Sequence, residues 1–178
     1  YRRSANSILI DAQQDGRRQG IYAPIAMYVM GSAWMANDRE LLDQVGGTID
    51  ESCKTLIQNV DLTPEPLFNA TLHLTRIRVA WFTGRGDVLT KTMPDLDRAV
   101  RALDRWGQWY WEGERDIHTH SVVKALLERK ADAVKAGLVK YDEYLTEQRG
   151  ASPTVSELVD EEFISLASTA QDLGIVLP

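Results

Sequence analysis

The sequence predicts an all-α protein, an irregular bundle of about six helices forming a single helical domain over residues 1–178. Three observations carry that expectation. Apolar side chains recur every three or four positions through nearly every segment, the period of one helical face. Clear punctuation falls between some of those segments, at Thr63-Pro64-Glu65-Pro66 and in the stretch from Gly150 to Pro153. The size is also sufficient. A chain of 178 residues, 44% of them hydrophobic, buries roughly 70% of its unfolded surface and needs no metal or disulfide to fold.

The elements follow in order. Residues 4–15 carry Ile8, Leu9 and Ala12 at helical spacing, and Gly16 and Gly20 end them. Residues 21–36 are apolar nearly all round, with Met27, Met30, Trp34 and Met35, and Pro24 sits near their start where a missing N–H is tolerated. A helix of that kind is central or lies in an interface. Asn37 reads as an N-cap, with Glu40 completing a capping box. Leu41, Leu42, Val45, Ile49, Leu56 and Ile57 continue the stripe, and Gly46-Gly47 inside it predicts a kink or break. After the double-proline link, Leu67, Ala70, Leu74, Ile77 and Trp81 share one face. The rival here is a short hairpin near residues 75–92, because Thr75, Ile77, Val79 and Trp81 also alternate and Gly84-Arg85-Gly86-Asp87 resembles a turn. Helix is favoured, since a lone hairpin has no sheet to join. Pro94 opens the next helix with Leu96, Ala99, Val100 and Leu103, and Gly113 breaks the run beyond it. A long helix is expected over residues 119–148. Ser152 or Thr154 caps the last one, and Gly174 takes the residue after its end.

Composition narrows the function classes. Cys53 is the one cysteine, so no intramolecular disulfide forms. That suits a reducing, cytoplasmic setting, with Cys53 an inert thiol inside a helix. The most apolar run, residues 21–36, is too short and too interrupted to span a membrane. The chain begins at Tyr1 rather than Met, an expectation of a longer parent chain. Net charge is -6 overall. It is unevenly spread: thirteen basic and nine acidic residues lie in 76–140, against one basic and eight acidic in 141–178. The plain reading is that the acidic end packs beside the basic middle, within one chain or between copies.

The most unusual stretch is residues 106–120, which hold three of the five tryptophans and two of the three histidines. Trp106, Trp109, Tyr110 and Trp111 offer a large aromatic surface. Together with Met30 and Trp34 they are the candidate contact residues for a partner. Glu112, Glu114, Asp116, His118 and His120 occupy alternate positions and would converge on a metal if the segment were extended. On a helix they would spread around the axis, so no metal site and no cofactor is expected. Arg115, a polar residue, three further residues and His120 form a third pattern. It resembles the motif of HEPN-superfamily ribonucleases, small helical domains that cut RNA without metal. By that resemblance Arg115 would stabilise the charged phosphorane and His120 would act as general acid or base. The match spans six residues.

The remaining candidates are cationic. Arg76, Arg78, Arg98, Arg101 and Arg105 would form the contact stripe if the chain packaged nucleic acid, although an acidic chain is a poor non-specific binder of it. The sequence therefore favours a non-enzymatic helical interaction or assembly module, a homo-oligomer or one docked on a protein partner. The ribonuclease and the nucleic-acid packaging protein stand as alternatives.

Overall fold

The computed structural model describes residues 30–59, 61–63, 66–106, 111–148 and 160–177, with side chains described at all of these except 103–106, 111–114, 116 and 161. Among the described residues there are seven helices and no strand, as the periodicity predicts. A short helical stretch at 30–35 precedes α1 (Arg39–Asn59), α2 (Pro66–Phe82), α3 (Gly86–Trp106), α4 (Trp111–Leu127), α5 (Ala131–Gln148) and α6 (Glu161–Asp172). The packing forms two compact units, residues 1–108 and 109–178.

In the first unit α2 is the central helix, and both α1 and α3 pack on it. Ten of its residues are buried, from Ala70 to Phe82, including His73, Thr75 and Arg78. Successive contacts run in opposite senses along the two helices. Asp50 of α1 meets Arg76 of α2, whereas the earlier Gly46 meets Val79 and Thr83. The two helices are therefore antiparallel. Met30, Ala33, Leu41, Leu42, Val45, Val79 and Phe82 close one end of the core, with Trp34 packed edge-on against Phe82 at a ring separation of 6.0 Å. Fully burying side chains of this size contributes about 1.5–3 kcal/mol each.

Several expectations are corrected here. Residues 75–92 form no hairpin: α2 runs to Phe82, and α3 starts at Gly86. Gly84, with φ of +69°, makes the tight link between them. Asn37 is not the N-cap of α1. It adopts φ of +53° and ends the preceding helical stretch, while Asp38 Oδ1 accepts from Leu41 N at 3.1 Å. Gly46-Gly47 does not break α1. Gly46 is buried where α1 crosses α2, and a Cβ there would lie 3.0 Å from Thr83 Cγ2, so its bare backbone allows the helices to approach. Pro94 lies inside α3 rather than at its start. Its ring faces solvent, as does Thr90, whose carbonyl loses its helical partner and can be met by water.

In the second unit α4 and α5 pack as a helical hairpin, and α6 lies against both. Gly113 does not break α4, and the long helix expected over 119–148 is two helices. The chain reverses at Arg129, which takes φ of +53°, and Arg129 N and Lys130 N close the end of α4 on Leu126 O and Ala125 O. No apolar residue other than alanine separates Leu127 from Val134, so the stripe has nothing to bury across the reversal. Gly137 of α5 faces Val122 of α4 so closely that a Cβ would sit 2.9 Å from Val122 Cγ2. At the chain's end Gly174 does follow the last helix, with φ of +76°. Residues 4–15 and the caps Ser152 and Thr154 lie outside the described residues, as does the part of the 21–36 helix before residue 30.

Candidate functional site

A dense polar arrangement lies inside the second unit, where three of the described helices meet. Val122, Val123 and Leu126 bury one face of α4, and that face carries Thr119 inward at 0% exposure. Arg115, one turn earlier, lies beside it. Tyr141 is placed by the apolar spacing of α5, between Leu138 and Tyr144, and is fully enclosed. Asp160 and Glu162 come from the start of α6. Asp160 has extended backbone, with φ of -97° and ψ of 103°, and caps the helix by accepting from Phe163 N at 2.7 Å.

These groups form one connected cluster. Arg115 Nη2 donates to Asp160 Oδ2 at 2.7 Å, and Arg115 Nε donates to the Tyr141 hydroxyl at 3.1 Å. That hydroxyl donates on to Glu162 Oε2 at 3.3 Å, and Thr119 Oγ1 donates to the same oxygen at 3.1 Å. Glu162 also lies 3.9 Å from Arg115 Nη2. A carboxylate buried to this degree requires such partners, because desolvation of an unpaired charge costs several kcal/mol. His118 stacks on Tyr141 at 5.9 Å and lies 5.2 Å from Tyr144, and Phe163 meets Tyr141 edge-on. The donors and acceptors answer one another, so the arrangement ties α4, α5 and α6 together.

A second cluster lies in the first unit. Asp50, 2% exposed, accepts from Arg76 Nε at 2.8 Å and pairs with Lys54 at 2.8 Å. Burial alone would raise its carboxyl, but the hydrogen bonds and charges of Lys54 and Arg76 outweigh that and hold it below the usual carboxylate range. Cys53 is pushed up to about 12 by burial and by the Asp50 charge, which makes it the inert thiol expected of it. His73 is shifted down by burial, and its Nδ1 has no hydrogen-bond partner.

The residues singled out from the sequence fall as follows. Arg115 is engaged by Asp160, Glu162 and Tyr141 of its own unit. His120, half-buried on the same helix, is five residues further on, about 140° around the axis. The helical backbone of 111–127 also fans Glu112, Glu114, Asp116, His118 and His120 around its axis. Among the described residues no group of His, Cys, Asp or Glu is arranged to hold a metal. Met30 is enclosed at 0% exposure within the first unit, and Trp34 is half-buried. Trp109 and Tyr110 lie outside the described residues, as do the side chains of Trp106, Trp111 and Arg105. The cationic set does not form one exposed stripe. Arg76 is bound to Asp50 and Arg78 is buried, whereas Arg98 and Arg101 are exposed on α3, Arg98 paired with Asp95 at 3.2 Å. No helix among the described residues is long and apolar enough to cross a membrane.

The sequence reading missed Asp160, Glu162, Thr119 and Tyr141 as one unit. Tyr141 lies in an apolar stripe and the two acids in an acidic block, and only the fold of α6 onto α4 and α5 brings them together. The chain matches no family model, no curated protein and no solved structure.

Proposed function

We propose that the chain is a non-enzymatic helical assembly module that associates with a second copy of itself. The observation that carries this reading is the surface at the end of α6. Ile175 anchors the closing segment at 9% exposure, while its neighbours Leu173 and Val176 stand 51% and 78% exposed. Two large aliphatic side chains are thus held outward on an ordered support. Ile164 and Val139, also in the second unit, add exposed apolar area of the kind that marks contact surfaces. The engagement of Arg115 inside its own unit supports a structural use of that residue over the ribonuclease reading. The inward placement of Arg76 and Arg78 weighs in the same way against the packaging reading.

Molecular mass in solution across a concentration series tests this, alone and with single-stranded RNA. The native chain is expected to move from monomer to dimer, and the paired substitution Leu173→Ser with Val176→Glu to weaken that shift at least tenfold. A native chain that stays monomeric at every concentration overturns the proposal. RNA-dependent mass lost on substituting Arg98 and Arg101 would favour the packaging reading instead. RNA cleavage lost in His120→Ala would favour the nuclease.

A further inference from the structure

We propose that the turn closing α2, where Arg39 and Arg85 meet at Thr83, binds a phosphate-type oxyanion. Arg39, the first residue of α1, donates through Nη2 to the Thr83 carbonyl. Arg85, in the link between α2 and α3, donates through Nε to Thr83 Oγ1 at 3.0 Å. Thr83 itself is 3% exposed. Two guanidinium groups from separate elements therefore converge on one buried threonine. Gly84, with φ of +69°, makes the turn between them, and Arg39 Nη2 reaches to 3.8 Å from the position of a Cβ there.

The decisive atom is Arg85 Nη2, which is buried and has no hydrogen-bond partner. A guanidinium N–H withdrawn from water without an acceptor carries a desolvation penalty that an acceptor would remove. Capping of the last α2 carbonyls accounts for Arg39 Nη2. The contact with Thr83 Oγ1 accounts for Arg85 Nε. Neither accounts for Arg85 Nη2. Arg39 keeps donors in reserve as well, because its pair with Asp43 is loose at 3.6 Å and both side chains are about 60% exposed. Two guanidinium groups bonded to the same residue, Arg39 at the Thr83 carbonyl and Arg85 at Thr83 Oγ1, supply the N–H donors that an oxyanion with several acceptor oxygens takes. Asp43 beside Arg39, and Asp38 just before it, disfavour a dianion and select the singly charged form of phosphate. These residues are distinct from Leu173 and Val176, so the site stands or falls independently of self-association.

Inorganic phosphate is the probe, compared with chloride at equal ionic strength and pH, in thermal melts and in the 31P linewidth of the ion. The native chain should show a saturable rise in the Tm of the first unit, about 6–11 °C at ten times the midpoint concentration, together with 31P broadening. Arg85→Met should abolish both, while its Tm without phosphate stays near the native value because the substitution also removes the orphaned donor. Arg85→Lys keeps the charge without the fork and should weaken the midpoint severalfold, which keeps the test open if the methionine variant fails to fold. No rise beyond that of chloride overturns the site. A rise that persists undiminished in the Arg85 variants places the ion elsewhere and overturns it equally.

Discussion

Gly137→Ala should destabilise the second unit even though alanine is the better helix former. Two effects of opposite sign compete. In a helix interior alanine gains about 1 kcal/mol over glycine. Against that, the new methyl would sit 2.9 Å from Val122 Cγ2, well inside the roughly 3.5–4.0 Å of a relaxed carbon contact. Val122 is fully buried and β-branched, so it cannot swing away. Overpacking of this kind costs about 1–3 kcal/mol, and a net loss near 1 kcal/mol follows. For a unit of this size that lowers Tm by about 4–8 °C. Thermal unfolding followed by circular dichroism measures it, with Gly47→Ala as the matched control. No atom lies within 4 Å of a Cβ at Gly47, so the same substitution there should stabilise by about 0.5–1 kcal/mol. Adding Val122→Ala to Gly137→Ala should recover part of the loss, giving a double variant more stable than the sum of the singles. If Gly137→Ala instead raises Tm as Gly47→Ala does, the close approach of α4 and α5 is not what holds glycine at that position.

The remaining predictions concern charged and titrating groups. Asp160→Ala removes both the cap on Phe163 N and the partner of Arg115, and should cost about 2 kcal/mol in urea unfolding, roughly half from each. Asp160→Asn keeps the cap and should lose about half as much, so equal losses in the two variants would refute the division. For His73 the folded state disfavours the proton because burial lowers its pKa below 6.5. The unfolded chain then takes up the proton first, and stability is present above pH 6.5 and falls as the pH drops below it. His73→Gln should flatten that part of a Tm-against-pH profile, and an unchanged slope would show that another group governs it.

Much of the fold could be read from the apolar period, and the exceptions share a cause. The absence of a strand over 75–92 and Gly174 after the last helix both follow from local rules that tertiary packing did not overrule. Gly46 misleads because a glycine inside a helix can signal either weakness or close approach, and only the position of Thr83 and Val79 decides which. The reversal at Arg129 is hidden because a non-glycine residue takes the left-handed conformation there, so no glycine or proline marks it. The depth of α2 is equally hidden in the sequence: His73 and Arg78 are buried on it and Arg76 pairs with Asp50, polar groups drawn inward by packing and pairing that no local rule foretells.

The same inward pairing bears on where association energy can come from. The sequence presents a basic middle and an acidic end that would attract one another between copies. In the second unit part of that attraction is already realised within one chain, since Arg115 from the basic block binds Asp160 and Glu162 from the acidic one. Asp50 is likewise answered by Arg76 and Lys54 inside the first unit. Exposed pairs such as Lys91 with Asp87 and Arg98 with Asp95 contribute at most about 1 kcal/mol each, and salt screens them. Leu173 and Val176 are under no such discount. Each buries aliphatic area worth roughly 25 cal/mol per Å² when a partner covers it, and in a symmetric dimer each contributes twice. The proposed self-association through the end of α6 would therefore draw its strength from apolar contact, with the residual charge asymmetry setting orientation.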